Sequence, residues 1–271
     1  MNAMDDLWGY RGKTVVIDGA SSGMGLAATK LLIELGAEVY ALDIKECPAP
    51  VKMYIKTDLG DKKSIDAAVA KIPGEVRALF CCAGLPGAPY SDAEVVRVNF
   101  LGHRHLIESL IPRMKRNEGA IAIISSLAGL QWRFHGLYFQ GLIDTKTFEE
   151  GVAWIAANGA KIKTDMGGSY SFSKECINAY GKAKAAALAP LGIRFNVLNP
   201  STTVTPMLKD FQANLGETLD HYKVSRFAIP EEMGHPLAFL NSSMASFISG
   251  QELAVDEGLS AIMELAPITQ S

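Results

Sequence analysis

Hydrophobic and polar positions along this chain switch repeatedly between two periods. Residues 14–17 (Thr-Val-Val-Ile) form a short β-rich run. After a glycine turn, Ala28, Leu31, Leu32 and Leu35 fall at the i, i+3, i+4, i+7 spacing of a helix, which Gly36 ends. A second strand opens over residues 38–42. Residues 53–56, 78–82, 120–125, 193–198 and 252–255 supply five more strands, and residues 62–71, 92–115, 171–189 and 231–240 read as helices. Parallel strands need crossover helices, so this alternation predicts an α/β fold, one parallel sheet of about seven strands covered by helices on both faces.

Two stretches break the rhythm. Residues 131–168 separate the fifth strand from the next helix, and within them Phe148, Val152 and Ile155 at i, i+4, i+7 predict an amphipathic helix inside an insertion. Residues 201–228 follow the sixth strand and read as a loop with short helices, expected to act as a substrate lid. Repeats, low-complexity tracts and linker composition are absent, so residues 1–271 are expected to form a single domain.

Composition adds boundaries. With 271 residues, 48% hydrophobic and 20% charged, the chain can bury a sizeable core. A net charge of −3 argues against a nucleic-acid binder. No apolar run reaches the length of a membrane span, and the acidic start has no basic n-region of a signal peptide. Cys47, Cys81, Cys82 and Cys176 have no metal spacing and read as reduced thiols, so a cytoplasmic protein is expected. His103, His105, His135, His221 and His235 form no metal-ligand pattern and receive no role; no metal is expected.

The chemistry is concentrated in Tyr170-Ser-Phe-Ser-Lys174. On a helix, positions i and i+4 share a face with Cβ atoms roughly 5–6 Å apart. A cation that close favours phenolate, bringing a phenol whose free pKa is about 10 nearer to neutral pH. Taken singly these are bland residues: a helical Tyr packs at a rim, a Lys is solvated, and Ser125-Ser126 at a strand end is turn chemistry. Their order after a nucleotide loop changes the reading. Asp18-Gly-Ala-Ser-Ser-Gly-Met-Gly25 lies between the first strand and first helix, where glycines let a pyrophosphate approach the helix N-terminus. Asp43 closes the second strand, where an acidic side chain can accept from adenosine ribose hydroxyls and repel a 2′-phosphate. NAD is therefore expected over NADP, with Lys45 nearby keeping dual use open.

These residues resemble the short-chain dehydrogenase/reductase family over nearly the whole chain. Gly19, Gly23 and Gly25 match its TGxxxGxG loop, with Asp18 in place of threonine. Cys81-Cys82-Ala83-Gly84 matches NNAG with both asparagines lost. Asn99, Ser126, Tyr170 and Lys174 match the catalytic set, and Asn199-Pro200-Ser201 matches the NPG turn. The long stretch from Ser126 to Tyr170 resembles the insertion of the bacterial 3α-hydroxysteroid dehydrogenase/carbonyl reductase branch.

The resemblance implies a Rossmann-like doubly wound sheet and an NAD(H)-dependent oxidoreductase for a secondary alcohol or its ketone. Tyr170 is then the acid/base, and Lys174 supports it and holds the nicotinamide ribose. Ser126 binds the substrate oxygen, and Asn99 holds a water leading to solvent. Gly19, Ser21, Ser22, Gly23, Met24, Gly25, Asp43, Asp58, Leu59, Ala83, Gly84, Pro200, Thr203 and Thr205, with Tyr170 and Lys174, are the implied cofactor contacts. Trp132 and Phe134 at the start of the insertion, and Met207 and Leu208 in the lid, are expected to bind a bulky, hydroxysteroid-like substrate, with Phe211 and Leu215 further along the lid. A homodimer or homotetramer is expected. Two alternatives stay open: an NADH-binding regulator on the same scaffold, and a sugar-nucleotide epimerase or dehydratase.

Overall fold

The computed structural model describes residues 7–208 and 225–269. Seven strands form one sheet in the order β3-β2-β1-β4-β5-β6-β7, every pair parallel. They are β1 (Thr14–Asp18), β2 (Glu38–Asp43), β3 (Met53–Lys56), β4 (Ala78–Cys81), β5 (Ala120–Ile124), β6 (Arg194–Pro200) and β7 (Glu252–Val255). Central strands covered on both faces must be apolar throughout. Accordingly β4, β5 and β6 are buried at every residue, whereas the edge strands β3 and β7 are not.

The period-2 alternation of side chains divides the core into two layers. Val16, Leu42, Leu79, Ile121 and Val197 belong to one layer with buried residues of α2 (Lys62–Lys71), α6 (Phe148–Thr164) and α7 (Gly168–Leu188). Val15, Ile17, Phe80, Ala122 and Leu198 face α1 (Gly23–Glu34) and α8 (Glu231–Asn241). The chain thus reverses its winding between β1 and β4. That switch point opens a crevice beyond the carboxyl ends of the strands.

Four elements depart from the sequence expectation. The helix expected over residues 92–115 is divided: α3 (Asp92–Val96) and α4 (His103–Leu110) flank a π-helical turn over Arg97–Gly102. The His103 side chain takes the Asn99 carbonyl at 2.9 Å, which a regular α-helical ladder would use internally. The helix carrying Tyr170 starts at Gly168, so the tyrosine sits in its first turn, after Gly167 at φ +71°. The insertion contains a helix before the expected one, α5 (Gly136–Ile143), and the chain ends in another, α9 (Leu259–Thr269).

The insertion is built onto the body. Thr147 caps α6 by accepting from Glu150 N at 3.1 Å. Trp154 of α6 stacks on the fully buried Phe172 of α7, with ring centroids 6.0 Å apart. The buried Arg104 guanidinium donates to the carbonyls of Leu142, Thr145 and Thr147, tying the turn between α5 and α6 to α4. Among the described residues, no helix is long and apolar enough to cross a membrane.

Candidate active site

The end of β5 and the first turns of α7 bring the reacting groups together. Lys174 is buried, and its Nζ donates to the Ile124 carbonyl at 3.1 Å while lying 5.5 Å from the centre of the Tyr170 ring. Ser125 Oγ donates to the Lys174 carbonyl at 2.9 Å, clamping strand to helix. Ser126, next along, has its amide on Asn199 Oδ1 at 3.3 Å and its hydroxyl on Ala128 N at 3.2 Å, which aims it at the cleft. Gly129 allows the following turn to press on α7, because a Cβ there would meet the Lys174 carbonyl at 2.7 Å.

Burial raises the Tyr170 phenol above its ordinary range, and a hydrogen bond from Ser126 pulls it back. Burial also lowers Lys174 to about 8, opposed first by the Asp18 carboxylate and then by Cys82. Ser126 thus opposes the effect of burial on Tyr170, and the Lys174 ammonium lies against a strand carbonyl. Asn99 sits in the π-helical turn. Its side chain accepts from Leu85 N at 2.7 Å and donates to Leu85 O at 3.0 Å and Ser173 Oγ at 3.2 Å, so it pins the loop after β4.

Two joined cavities run along this edge of the sheet. One, of about 400 Å³, is lined by Gly19, Ser21, Ser22, Gly23, Met24, Gly25, Asp43, Asp58, Leu59, Ala83 and Gly84. The other, of about 440 Å³, is lined by Ser126, Tyr170, Lys174, Pro200, Thr203, Met207 and Leu208, and shares Met24, Cys82, Ala83, Gly84, Thr205 and Met207 with the first.

Trp132 and Phe134 do not line either. The Trp132 indole donates to Glu252 on β7 at 2.9 Å, and Phe134 is 85% exposed. The turn after β5 carries them past the cleft toward the sheet edge. Thr203 closes the base of the expected lid by bridging to Ala228, whereas Phe211 and Leu215 lie outside the described residues. Lining residues that were not anticipated include Tyr90 and Arg97 at the nucleotide end, and Leu259 and Met263 of α9 at the other. A lone arginine in the apolar run of α3 and the turn after it was the available signal for Arg97; nothing local marks α9.

The first cavity fits a dinucleotide. The first turn of α1 has neither a side-chain cap nor an acidic residue, leaving amide donors and the positive helix end for a pyrophosphate. Gly19 holds φ +64°, and a Cβ there would strike Ala83 N. Asp43 ends β2 with its carboxylate accepting from Ser21 N and Lys45 N, each at 3.0 Å. From there the cleft leads past Gly84 to Lys174 and Tyr170.

Residues 13–139 match the family described as short chain dehydrogenase, and residues 150–260 the one described as enoyl-(acyl carrier protein) reductase. The 3-alpha-hydroxysteroid dehydrogenase/carbonyl reductase of Comamonas testosteroni is 30% identical over 259 residues, covering 92% of this chain and 97% of that protein. The coniferyl-alcohol dehydrogenase of a Pseudomonas species is 28% identical over 254 residues, with the same coverage. The crystal structure of a Pseudomonas 3-alpha-hydroxysteroid dehydrogenase complexed with NADH superposes with a TM-score of 0.74 at 26% identity, covering 92% of this chain and 98% of that one. With the paired serine and tyrosine, the buried lysine and the dinucleotide cleft all on one sheet edge, the chain is an oxidoreductase that belongs to the short-chain dehydrogenase/reductase family, and the 3α-hydroxysteroid dehydrogenase/carbonyl reductase branch is among its relatives.

Proposed function

We propose that the protein is an NAD(H)-dependent dehydrogenase of bulky, apolar secondary alcohols or their ketones, with Tyr170 as acid/base. The observation that carries this reading is that Ser126, Tyr170 and the buried Lys174 line one cavity, which shares Ala83 and Gly84 with the dinucleotide cleft. The nicotinamide, when bound, accepts a hydride from the carbinol carbon or returns one to the carbonyl. Tyr170 takes the substrate hydroxyl proton in oxidation and gives it back in reduction. Ser126 donates to the substrate oxygen and holds it against the phenol. Lys174 holds the nicotinamide ribose with its ammonium. Asp43 meets the adenosine ribose hydroxyls and disfavours a 2′-phosphate, which supports NAD over NADP. The substrate end of the cleft is apolar, with Leu127, Ala128, Met207, Leu208, Leu259 and Met263 around the two hydroxyls. That wall suits a hydroxysteroid-sized ring system better than a polyol. The protein is read as a cytoplasmic homodimer or homotetramer, pairing through faces other than the one of α7 that α6 covers.

The test is NADH formation from NAD and a panel of secondary alcohols, repeated with NADP. Ring-bearing apolar alcohols should turn over with the lowest KM, and NAD should be preferred. Tyr170→Phe should still bind NADH and lose roughly 100- to 10,000-fold in kcat. Near-normal turnover by that variant removes Tyr170 from the role. Silence across the panel with NADH binding intact favours a sensor.

A further inference from the structure

The nucleotide end of the cleft holds a cation that the reading above leaves without a task. Arg97 is the first residue of the π-helical turn and borders the cavity that fits a dinucleotide. Its Nε is shut off from water, and its guanidinium makes no hydrogen bond or ion pair among the described residues. The acids beside it are bonded elsewhere. The Glu94 carboxylate accepts from Ser91 N at 2.9 Å and from Ser91 Oγ at 2.6 Å. Asp58 Oδ1 accepts from Gly60 N at 2.7 Å. A buried donor with no partner inside the protein calls for one from outside it.

Its position tells which part of a dinucleotide would supply that partner. The nicotinamide end of the cleft runs past Gly84 to Lys174 and Tyr170. The pyrophosphate falls to the first turn of α1, and the adenosine ribose to Asp43 at the end of β2. Strand β3 lies on the side of β2 away from the active site and pairs with it through Asp43 and Lys56. Thr57 N then donates to the Asp43 carbonyl at 2.8 Å, so residues 57–60 are the next step along the cleft beyond the ribose. A Cβ on Gly60 would lie 3.1 Å from Asp58 Oδ1, 3.4 Å from Val98 Cγ2 and 3.5 Å from Arg97 Nε. Arg97 therefore stands at the turn of residues 58–60, where the base is the part of the dinucleotide still to be placed. Adenine is neutral, which leaves a cation no charge to pair with, but it is flat and aromatic. A guanidinium is itself planar and weakly hydrated, and it stacks on such rings where an ammonium does not.

We propose that Arg97 is an adenine-binding residue of the cofactor site, its guanidinium stacking on the base. This role rests on the reading that the cofactor is a nicotinamide adenine dinucleotide, and is independent of the part played by Tyr170. Ligands that carry adenosine should feel the loss of Arg97, and the nicotinamide half alone should not. The plane of the group, rather than its charge, should be what counts.

The experiment titrates the wild type, Arg97→Leu and Arg97→Lys with NADH, NADPH, ADP-ribose and reduced nicotinamide mononucleotide, and checks the fold of each variant by thermal unfolding. Arg97→Leu should bind NADH and ADP-ribose about tenfold more weakly, as the loss of a stacking partner predicts. Reduced nicotinamide mononucleotide should bind all three proteins alike. Arg97→Lys keeps the charge but not the plane, so it should weaken NADH as Arg97→Leu does, and it carries the test alone if leucine folds poorly. Wild-type NADH affinity in either folded variant overturns the proposal; if it is found in Arg97→Lys alone, the group is a charge on a phosphate. A loss confined to NADPH overturns it too, and assigns the guanidinium to a 2′-phosphate. A wild type that binds no dinucleotide removes the cofactor reading itself, whereas a wild type that binds NADH no better than Arg97→Leu removes only the role of Arg97.

Discussion

At the residue scale, Lys174 determines how the site responds to pH. Burial favours its neutral form and brings it down to about 8, against the pull of Asp18 and Cys82. Two opposite signs follow. A lysine lowered on folding destabilises the folded state while the unfolded chain is protonated, so the stability linked to Lys174 is smallest below about pH 8. It is regained as pH rises toward the ordinary lysine range. The proposed ribose contact goes the other way, since it needs the ammonium. NADH affinity should therefore be flat up to about pH 7 and weaken severalfold by about pH 9.5, with Lys174→Met weaker and flat throughout. A wild-type affinity constant over that range would show that the ammonium does not hold the cofactor. The tyrosine, lysine and serine were legible in the sequence because each falls in an ordered motif of the family the chain resembles. The buried contact of Asp18 with His103, at 3.1 Å, was not, since 85 positions separate them.

At the element scale, the legible parts were those whose neighbours impose a period. The inner strands are covered on both sides and so read as apolar runs, and α6 carries a one-sided stripe. Helix α5 (GLYFQGLI) and α9 (LSAIMELAPIT) are apolar nearly all round, which leaves no stripe to read. The π-helical turn depends on a tertiary bond from His103 and has no local signal. Nor could adjacency tell that Trp132 and Phe134 leave the cleft, because the direction of the turn after β5 is set by Glu252 on a distant strand. The insertion itself hangs on Arg104. Replacing it with Met would fill much of the volume but leave three main-chain carbonyls short of a donor. Arg104→Met should cost about 2–4 kcal/mol in urea unfolding and open the 143–147 turn to protease. A loss below about 0.5 kcal/mol would mean that α5 and α6 are held by packing alone.

At the scale of the whole molecule, the sheet order divides the work. On the proposed function, the switch between β1 and β4 serves the dinucleotide, and the ends of β5 and β6 serve the substrate. The two ends share Met24, Cys82, Ala83, Gly84, Thr205 and Met207, but α9 contributes only to the substrate end, through Leu259 and Met263. An element that reaches one cavity and not the other can be altered without disturbing the cofactor. Met263 is 42% exposed, so a charge there can stay hydrated and the fold need not suffer. At the cavity wall, however, a carboxylate adds a polar group that an apolar ring system must desolvate. Met263→Asp should raise the KM for ring-bearing secondary alcohols about tenfold, a cost near 1.4 kcal/mol, while NADH affinity and thermal stability stay at wild-type values. An unchanged KM would place the substrate away from α9, against Met207 and Leu208 alone. An equal loss of NADH affinity would show that the two halves of the cleft are coupled through the residues they share.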